Sequence, residues 1–335
     1  MVAERKDKYL KLDGWIPIRV FWRHGQARPE VEWCRLGAAG FTDPFFESTV
    51  QRLMSHPFHH AFRRRTSIDA LEEWRAQRPG LAPTGFIFHM SRCGSTLVSQ
   101  MLSAVDRNVV LSEAAPIDWV LRAGVPAAQR SEWFRGIISA LGQRRTRKEE
   151  RLFIKFDCWN LAQMPVIQLA FPDVPWIFVF RNPIEVLVSN LQQRASWTFP
   201  TFMQPEVLGL DAAAVSHLAD REYCARAIGR ICELAVSHHQ RSGGLLINYS
   251  QLPDQVWSAL PRHVGVEWTE EEIDRMREMA GYDAKTQGLP FEPDTEKKRS
   301  RATPEILELA ARWIDPFYRQ LESARIAQSS EYAHH

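Results

Sequence analysis

Residues 85–102 read GFIFHMSRCGSTLVSQML. Gly85 to Met90 has the length and apolar character of a buried strand, Gly94 falls in a tight turn, and the run from Ser95 has the pattern of a helix. Strand, glycine turn and helix in that order form a phosphate cradle. The amides around the glycine and those of the first helical turn point into one concavity and hold an anion without help from side chains. Ser95 and Thr96 add hydroxyl donors. A Walker-type ATP or GTP loop places a lysine just before its Ser/Thr, and here Arg92 stands ahead of the glycine instead. The expected ligand is therefore a phosphate group in a non-Walker setting. The plain alternative is an ordinary strand-to-helix connection.

A second constellation, WIFVFRNPIEVLVSNLQQR, spans Trp176 to Arg194. Trp176 to Phe180 reads as a central parallel strand, and it ends in Arg181 rather than in an acid. Asn182 offers an N-cap and Pro183 tolerates the first helical position, so a helix is predicted there that carries Ser189 about two turns in. An arginine at the carboxyl end of a strand and a serine on the next helix can share the crevice where open α/β sheets bind ligands. Arginine there suits a dianionic phosphate gripped by two parallel hydrogen bonds. The competing reading is an arginine at a sheet edge with a surface serine.

Together these segments resemble the PAPS-dependent sulfotransferases, which move a sulfuryl group from 3′-phosphoadenosine 5′-phosphosulfate (PAPS) to an acceptor. In that family a loop of the form Arg/Lys-Ser-Gly-Thr/Ser-Thr holds the 5′-phosphosulfate, matching Arg92, Cys93, Gly94, Ser95 and Thr96; Cys93 departs from the usual serine. The family's 3′-phosphate Arg and Ser match Arg181 and Ser189. Around the site the tyrosylprotein branch looks closest. It carries arginine in the loop, a later glutamate at a spacing matched by Glu113, and a lysine ahead of the 3′-phosphate arginine at a spacing matched by Lys155. LLINYSQLP resembles the family's strand, tyrosine and leucine pattern and implies that Tyr249 lies near the adenine. At the place of an arginine one turn beyond the serine stands Gln193, beside Arg194. The basic run in FEPDTEKKRSR (residues 291–301), with Lys297, Lys298, Arg299 and Arg301, occurs where the family closes a basic segment over the nucleotide phosphates. The resemblance spans roughly residues 84 to 325.

Sulfuryl transfer is an in-line displacement through a loose transition state, so catalysis is positioning plus charge stabilisation. Arg92 and Lys155 are the candidates to supply positive charge. A carboxylate whose pKa is raised by partial burial suffices to take the acceptor proton. Glu113 is the first candidate base, Asp157 its rival two residues after Lys155, and His89 a third. The bland readings are a helix cap for Glu113 at Ala115 onward and a satisfied core histidine for His89.

Composition agrees. The chain has 335 residues, 45% of them hydrophobic, enough for one large α/β domain with an extension. A formal charge of +2 is too mild to argue for nucleic acid. Five scattered cysteines form no framework and imply reduced thiols in the cytoplasm. Neither HExxH nor CxxC spacing occurs, and no metal is invoked. No apolar run has membrane-spanning length, and the start MVAERKDKYLKLDGW has no signal-type stretch. His334-His335 reads as the remnant of a purification tag.

The expected fold is a three-layer α/β P-loop fold with a central parallel sheet. Residues 1–80 form an aromatic-rich extension, a candidate cap over the acceptor cleft. Pro79-Gly80 and Pro83 are read as a linker into the main domain, 81–335. Residues 211 to 240 read as one long helix, as does Pro304 to Ser323. Trp197, Phe199 and Phe202 in ASWTFPTFM suggest an apolar wall for the acceptor or the adenine. The expected activity is sulfation of a hydroxyl on a small molecule. A kinase using ATP and magnesium, a peptide tyrosine acceptor, and a non-catalytic nucleotide-binding module remain as alternatives.

Overall fold

The computed structural model describes residues 11–333 apart from 38, 39, 202 and 287. Phe202 and His334-His335 therefore lie outside the described residues. The front of the chain makes an antiparallel sheet of β1 (Trp15–Phe21), β2 (Glu30–Arg35) and β3 (Arg64–Ser67), in that order. Its apolar side packs on two helices that follow, Ala115–Leu121 and Ala127–Leu141. Ring contact between Trp22 and Trp133, with centroids 6.3 Å apart, belongs to this seam.

The main sheet has five strands: β4 (Pro83–His89), β5 (Asn108–Ser112), β6 (Arg151–Lys155), β7 (Trp176–Phe180) and β8 (Leu245–Asn248). Their spatial order is β5-β6-β4-β7-β8, and every pair is parallel. Every residue of β5, β6 and β7 is buried. A strand whose alternating side chains are all buried has both faces covered, which is why β7 reads as an unbroken apolar run and β5 and β6 have apolar centres, Val109–Leu111 and Leu152–Ile154, rather than an alternating pattern. The chain thus forms the expected α/β fold, a central parallel sheet flanked by helices.

The topology decides where a ligand can sit. From β4 the chain steps out to β5 on one side and later crosses to β7 on the other, so the carboxyl end of β4 is the switch point of the sheet. Register places Lys155 beside both Ile87 and Ser112, and His89 beside Val179. The ends of β4, β5, β6 and β7 therefore deliver His89, Glu113, Lys155 and Arg181 to one edge.

Two helix expectations need correction. The span 211–240 is a short helix, Ala212–Val215, followed by the long Asp220–Ser242 helix. Asp211 caps the first by accepting from Ala213 N at 2.9 Å, and extended backbone at Ala219 separates the two. The span from Pro304 is likewise two helices, Pro304–Trp313 and Asp315–Ala333. Their break packs backbone against backbone: a Cβ on Gly229 would lie 2.1 Å from the Trp313 carbonyl oxygen. The Pro79-Gly80 segment is firmly held, since Gly80 N donates to Ser139 Oγ at 3.0 Å and has no room for a Cβ.

Candidate functional site

The loop after β4 is wound tightly by its own sequence. Ser91, Arg92 and Gly94 all adopt positive φ, at 72°, 49° and 90°. Left-handed backbone costs about 1–3 kcal/mol at a non-glycine residue and survives only where the surroundings fix it. Here they do. Ser91 N donates to His89 Nδ1 at 3.0 Å, Ser91 Oγ to Asn190 Oδ1 at 3.2 Å, and the Cys93 thiol to Val179 O at 3.0 Å. Gly94 is required twice over: its φ is positive, and a Cβ would stand 2.7 Å from the Tyr249 ring. The result is a concavity of backbone amides leading into the Ser95–Ser103 helix, the geometry that receives an anion. Cys93 is a packed core residue whose thiol pKa burial pushes up to about 11.

Beneath the loop, Lys155 is almost fully buried at 1% exposure. Its ammonium donates to Glu113 Oε1 at 2.5 Å and to Thr96 Oγ1 at 3.4 Å. Glu113 also adopts a positive φ of 53°, and its amide donates to Lys155 O at 2.7 Å. Its side chain does not cap the Ala115–Leu121 helix. Burial opposes its ionisation, but Lys155 and the His89 ring outweigh that and hold the carboxyl well below the usual carboxylate range. The expectation of a raised pKa at Glu113 is thus reversed. Asp157 shows the opposite: burial, then the charges of Glu113 and Asp118, push its pKa well above the ordinary value. His89 Nε2 lies 3.1 Å from Phe156 O and 3.3 Å from Glu113 Oε1, while Nδ1 accepts from Ser91 N. Desolvation lowers its pKa, so it is a satisfied core histidine that also abuts Glu113.

Arg181 leaves β7 into a dense charge cluster. Nε donates to Glu185 Oε2 at 2.6 Å, and a terminal nitrogen donates to Asp294 Oδ1 at 2.9 Å and Thr295 Oγ1 at 3.0 Å. The guanidinium lies 3.9 Å from the Tyr249 ring centroid. Asn182 caps the Pro183–Gln192 helix through Ile184 N and Glu185 N, which carries Ser189 toward the same space. Lys298 pairs with Asp294 at 2.6 Å.

One cavity of about 680 Å³ joins these parts. Arg92, Cys93, Gly94, Ser95, Thr96, Glu113, Asp157, Arg181, Ser189, Tyr249, Lys297 and Lys298 all line it. Two expected residues do not. Lys155 stands behind Glu113 and acts on the cavity through it, and Arg299 reaches the buried carboxylate of Glu185 at 2.8 Å. Arg194 also points elsewhere, to Asp220 at 2.7 Å and over the Phe199 ring, while the neighbouring Gln193 carbonyl accepts from Arg92 at 2.8 Å.

The cavity contains residues that the motifs did not reveal. Phe45, from the front segment, faces the Lys155 ammonium at 5.1 Å. Trp159 packs near Trp197, with ring centroids 6.4 Å apart, and is oriented by donating to Asp118 Oδ1 at 2.7 Å. Asp294 and Lys285 complete the rim. Asp294 had a signal, an acid at the head of a basic run; Phe45 had none locally.

No family model and no curated protein matches this chain. Solved structures similar to it include a sulfotransferase from Alicyclobacillus acidocaldarius (14% identity, 73% of this chain and 96% of that chain, TM-score 0.43). Others are sulfotransferase STF9 from Mycobacterium avium (11% identity, 74% and 81%, TM-score 0.47) and retinol dehydratase in complex with androsterone and inactive cofactor PAP (14% identity, 76% and 88%, TM-score 0.37). No helix of the described residues is long and apolar enough to cross a membrane.

Proposed function

We propose that this chain is a sulfotransferase that uses PAPS as donor and sulfates a hydroxyl of a small-molecule acceptor. The observation that supports the reading is that one cavity is lined both by the tightly wound loop, left-handed at Ser91, Arg92 and Gly94, and by Arg181 and Ser189. The loop suits a 5′-phosphosulfate and Arg181 a 3′-phosphate, with the Tyr249 ring between them for the nucleoside. Lys297 and Lys298 are assigned to the phosphates.

In the reaction the acceptor oxygen forms a bond to sulfur as the bond from sulfur to the 5′-phosphate oxygen breaks. That electron pair departs on the phosphate, and the hydroxyl proton goes to a carboxylate. Glu113 is assigned as base because Lys155 keeps it ionised and oriented; the lowered pKa that results weakens its pull on a proton, and Asp157, whose raised pKa makes it the stronger base once ionised, is the second candidate. Arg92, anchored on the Gln193 carbonyl, is assigned to the charge that grows on the bridging oxygen. Phe45, Trp159 and Trp197 offer the acceptor an aromatic wall. The arginine and glutamate follow the tyrosylprotein pattern, but an aromatic cavity of this size favours a small phenol or alcohol over a peptide.

Calorimetric titration with 3′-phosphoadenosine 5′-phosphate (PAP), ADP and ATP, with and without magnesium, tests the donor. Metal-independent binding of PAP that is lost in Arg181→Ala is the expected result. Preference for ATP with magnesium would move the chain to the kinase reading.

A further inference from the structure

The loop between the Glu270–Ala280 and Thr295–Arg299 helices reaches over the cavity. It is well braced. Asp283 accepts from Lys285 N at 3.0 Å and Thr286 N at 2.7 Å, Asp283 N donates to Leu289 O at 2.7 Å, and Phe291 N donates to Gly281 O at 2.9 Å. Tyr282 and Pro290 form a bridge across its base. This bracing aims Lys285 into the cavity.

Most of the charges around it are paired; among the described residues Lys297 and Arg301 are not. Lys155 is taken by Glu113, Arg181 by Glu185 and Asp294, Lys298 by Asp294, and Arg299 by Glu185. Lys297 and Arg301 follow Asp294 and Thr295, the residues that engage Arg181. Lys285 belongs to the other end. The charges that act on its ammonium are Arg92, Lys155 and Lys298 on the positive side and Glu113 on the negative, and among the described residues its ammonium has no ion-pair partner. Arg92, too, has no carboxylate partner among them. Beside the loop, then, two cations are left unneutralised.

We propose that Lys285 is a catalytic residue whose ammonium, with Arg92, contacts the sulfuryl group in transfer. The inference rests on the sulfotransferase reading above. As the acceptor oxygen bonds to sulfur and the bond to the phosphate oxygen breaks, negative charge accumulates on the bridging oxygen and the three sulfuryl oxygens. An unpaired cation fixed on a braced loop stabilises that charge without breaking an existing ion pair. Part of the Lys285 side chain stays in solvent, yet desolvation of its ammonium, followed by repulsion from Arg92 and Lys155, lowers its pKa to about 8. Lys285 is therefore charged below that pH and neutral above it, and a bound anion restores the charge.

The test compares calorimetric binding of PAPS and PAP, which differ only in the sulfuryl group. Lys285→Ala is expected to weaken PAPS about ten-fold or more and leave PAP unchanged. PAPS affinity of the unaltered chain is expected to fall as pH rises through about 8, and in Lys285→Arg, which stays charged, that fall disappears. Equal weakening of PAP and PAPS in Lys285→Ala, or an unaltered pH dependence in Lys285→Arg, would overturn the inference while leaving the donor assignment intact. If the unaltered chain binds neither nucleotide, the sulfotransferase reading itself fails, and this inference with it.

Discussion

Lys155 Nζ lies 2.5 Å from Glu113 Oε1, so a single buried ammonium ties the end of β5 to the end of β6 and, through Thr96, to the phosphate loop. Glu113→Gln is expected to reduce turnover by about 10²–10⁴-fold with nucleotide binding retained. Stability reports the same pair. The folded-state pKa of Glu113 lies below its unfolded value, so its contribution is present above the ordinary glutamate pKa and is lost as pH falls through the folded value. Thermal melts should show the unaltered chain ahead of Glu113→Gln by about 3 kcal/mol at neutral pH, with the gap closing in acid.

Asp157 has the opposite sign. Its folded-state pKa is raised, so stability is fully present below the unfolded pKa and declines as pH rises toward the folded value. Asp157→Asn removes that decline. Its melting temperature should exceed that of the unaltered chain at pH 7 and converge with it near pH 3. A loss of turnover in this variant alone, with Glu113→Gln active, would exchange the two carboxylates' roles.

Asp294 sits on Arg181 as an internal anion, 2.9 Å from the guanidinium. On the proposed reading a 3′-phosphate competes with it for Arg181. Asp294→Asn is expected to raise PAP affinity several-fold, whereas Arg181→Ala lowers it by about 10-fold or more, the loss of a charge-assisted hydrogen bond. Calorimetry on the two variants checks both directions, and weaker binding in Asp294→Asn would mean that this carboxylate orients Arg181 rather than competes for it.

Gly94→Ala puts a Cβ 2.7 Å from the Tyr249 ring on backbone at φ 90°. A cost of about 1–3 kcal/mol in denaturant midpoints is expected, together with weakened PAP binding. Gly265, also at positive φ but with open space around it, serves as the control, since Gly265→Ala meets only the backbone strain.

How much of this was legible depends on whether the determinant is local. β4 and β7 announce themselves because strands buried on both faces leave uninterrupted apolar runs, and Asn182-Pro183 announces a helix start because cap and first-turn chemistry are adjacent in sequence. The loop Arg92 to Thr96 was equally plain. The breaks at Ala219 and Ile314 were not. The second is set by a carbonyl resting on Gly229, far along the chain, which no helical periodicity records. The sign of the Glu113 shift was hidden for the same reason: it depends on Lys155 and His89 arriving from two other strands. Lys285 and Phe45 enter the cavity from segments with no motif of their own.

Phe45 has a consequence for how this chain can change. It belongs to the stretch between β2 and β3, outside the five-stranded sheet, yet it lies over the ammonium that holds Glu113. The half of the cavity proposed to hold phosphate is drawn from the ends of β4 and β7, and another part of its wall from a stretch of chain that folds around its own small sheet. Substitution in the front segment can therefore remodel what the cavity admits while leaving the ends of β4 and β7 untouched.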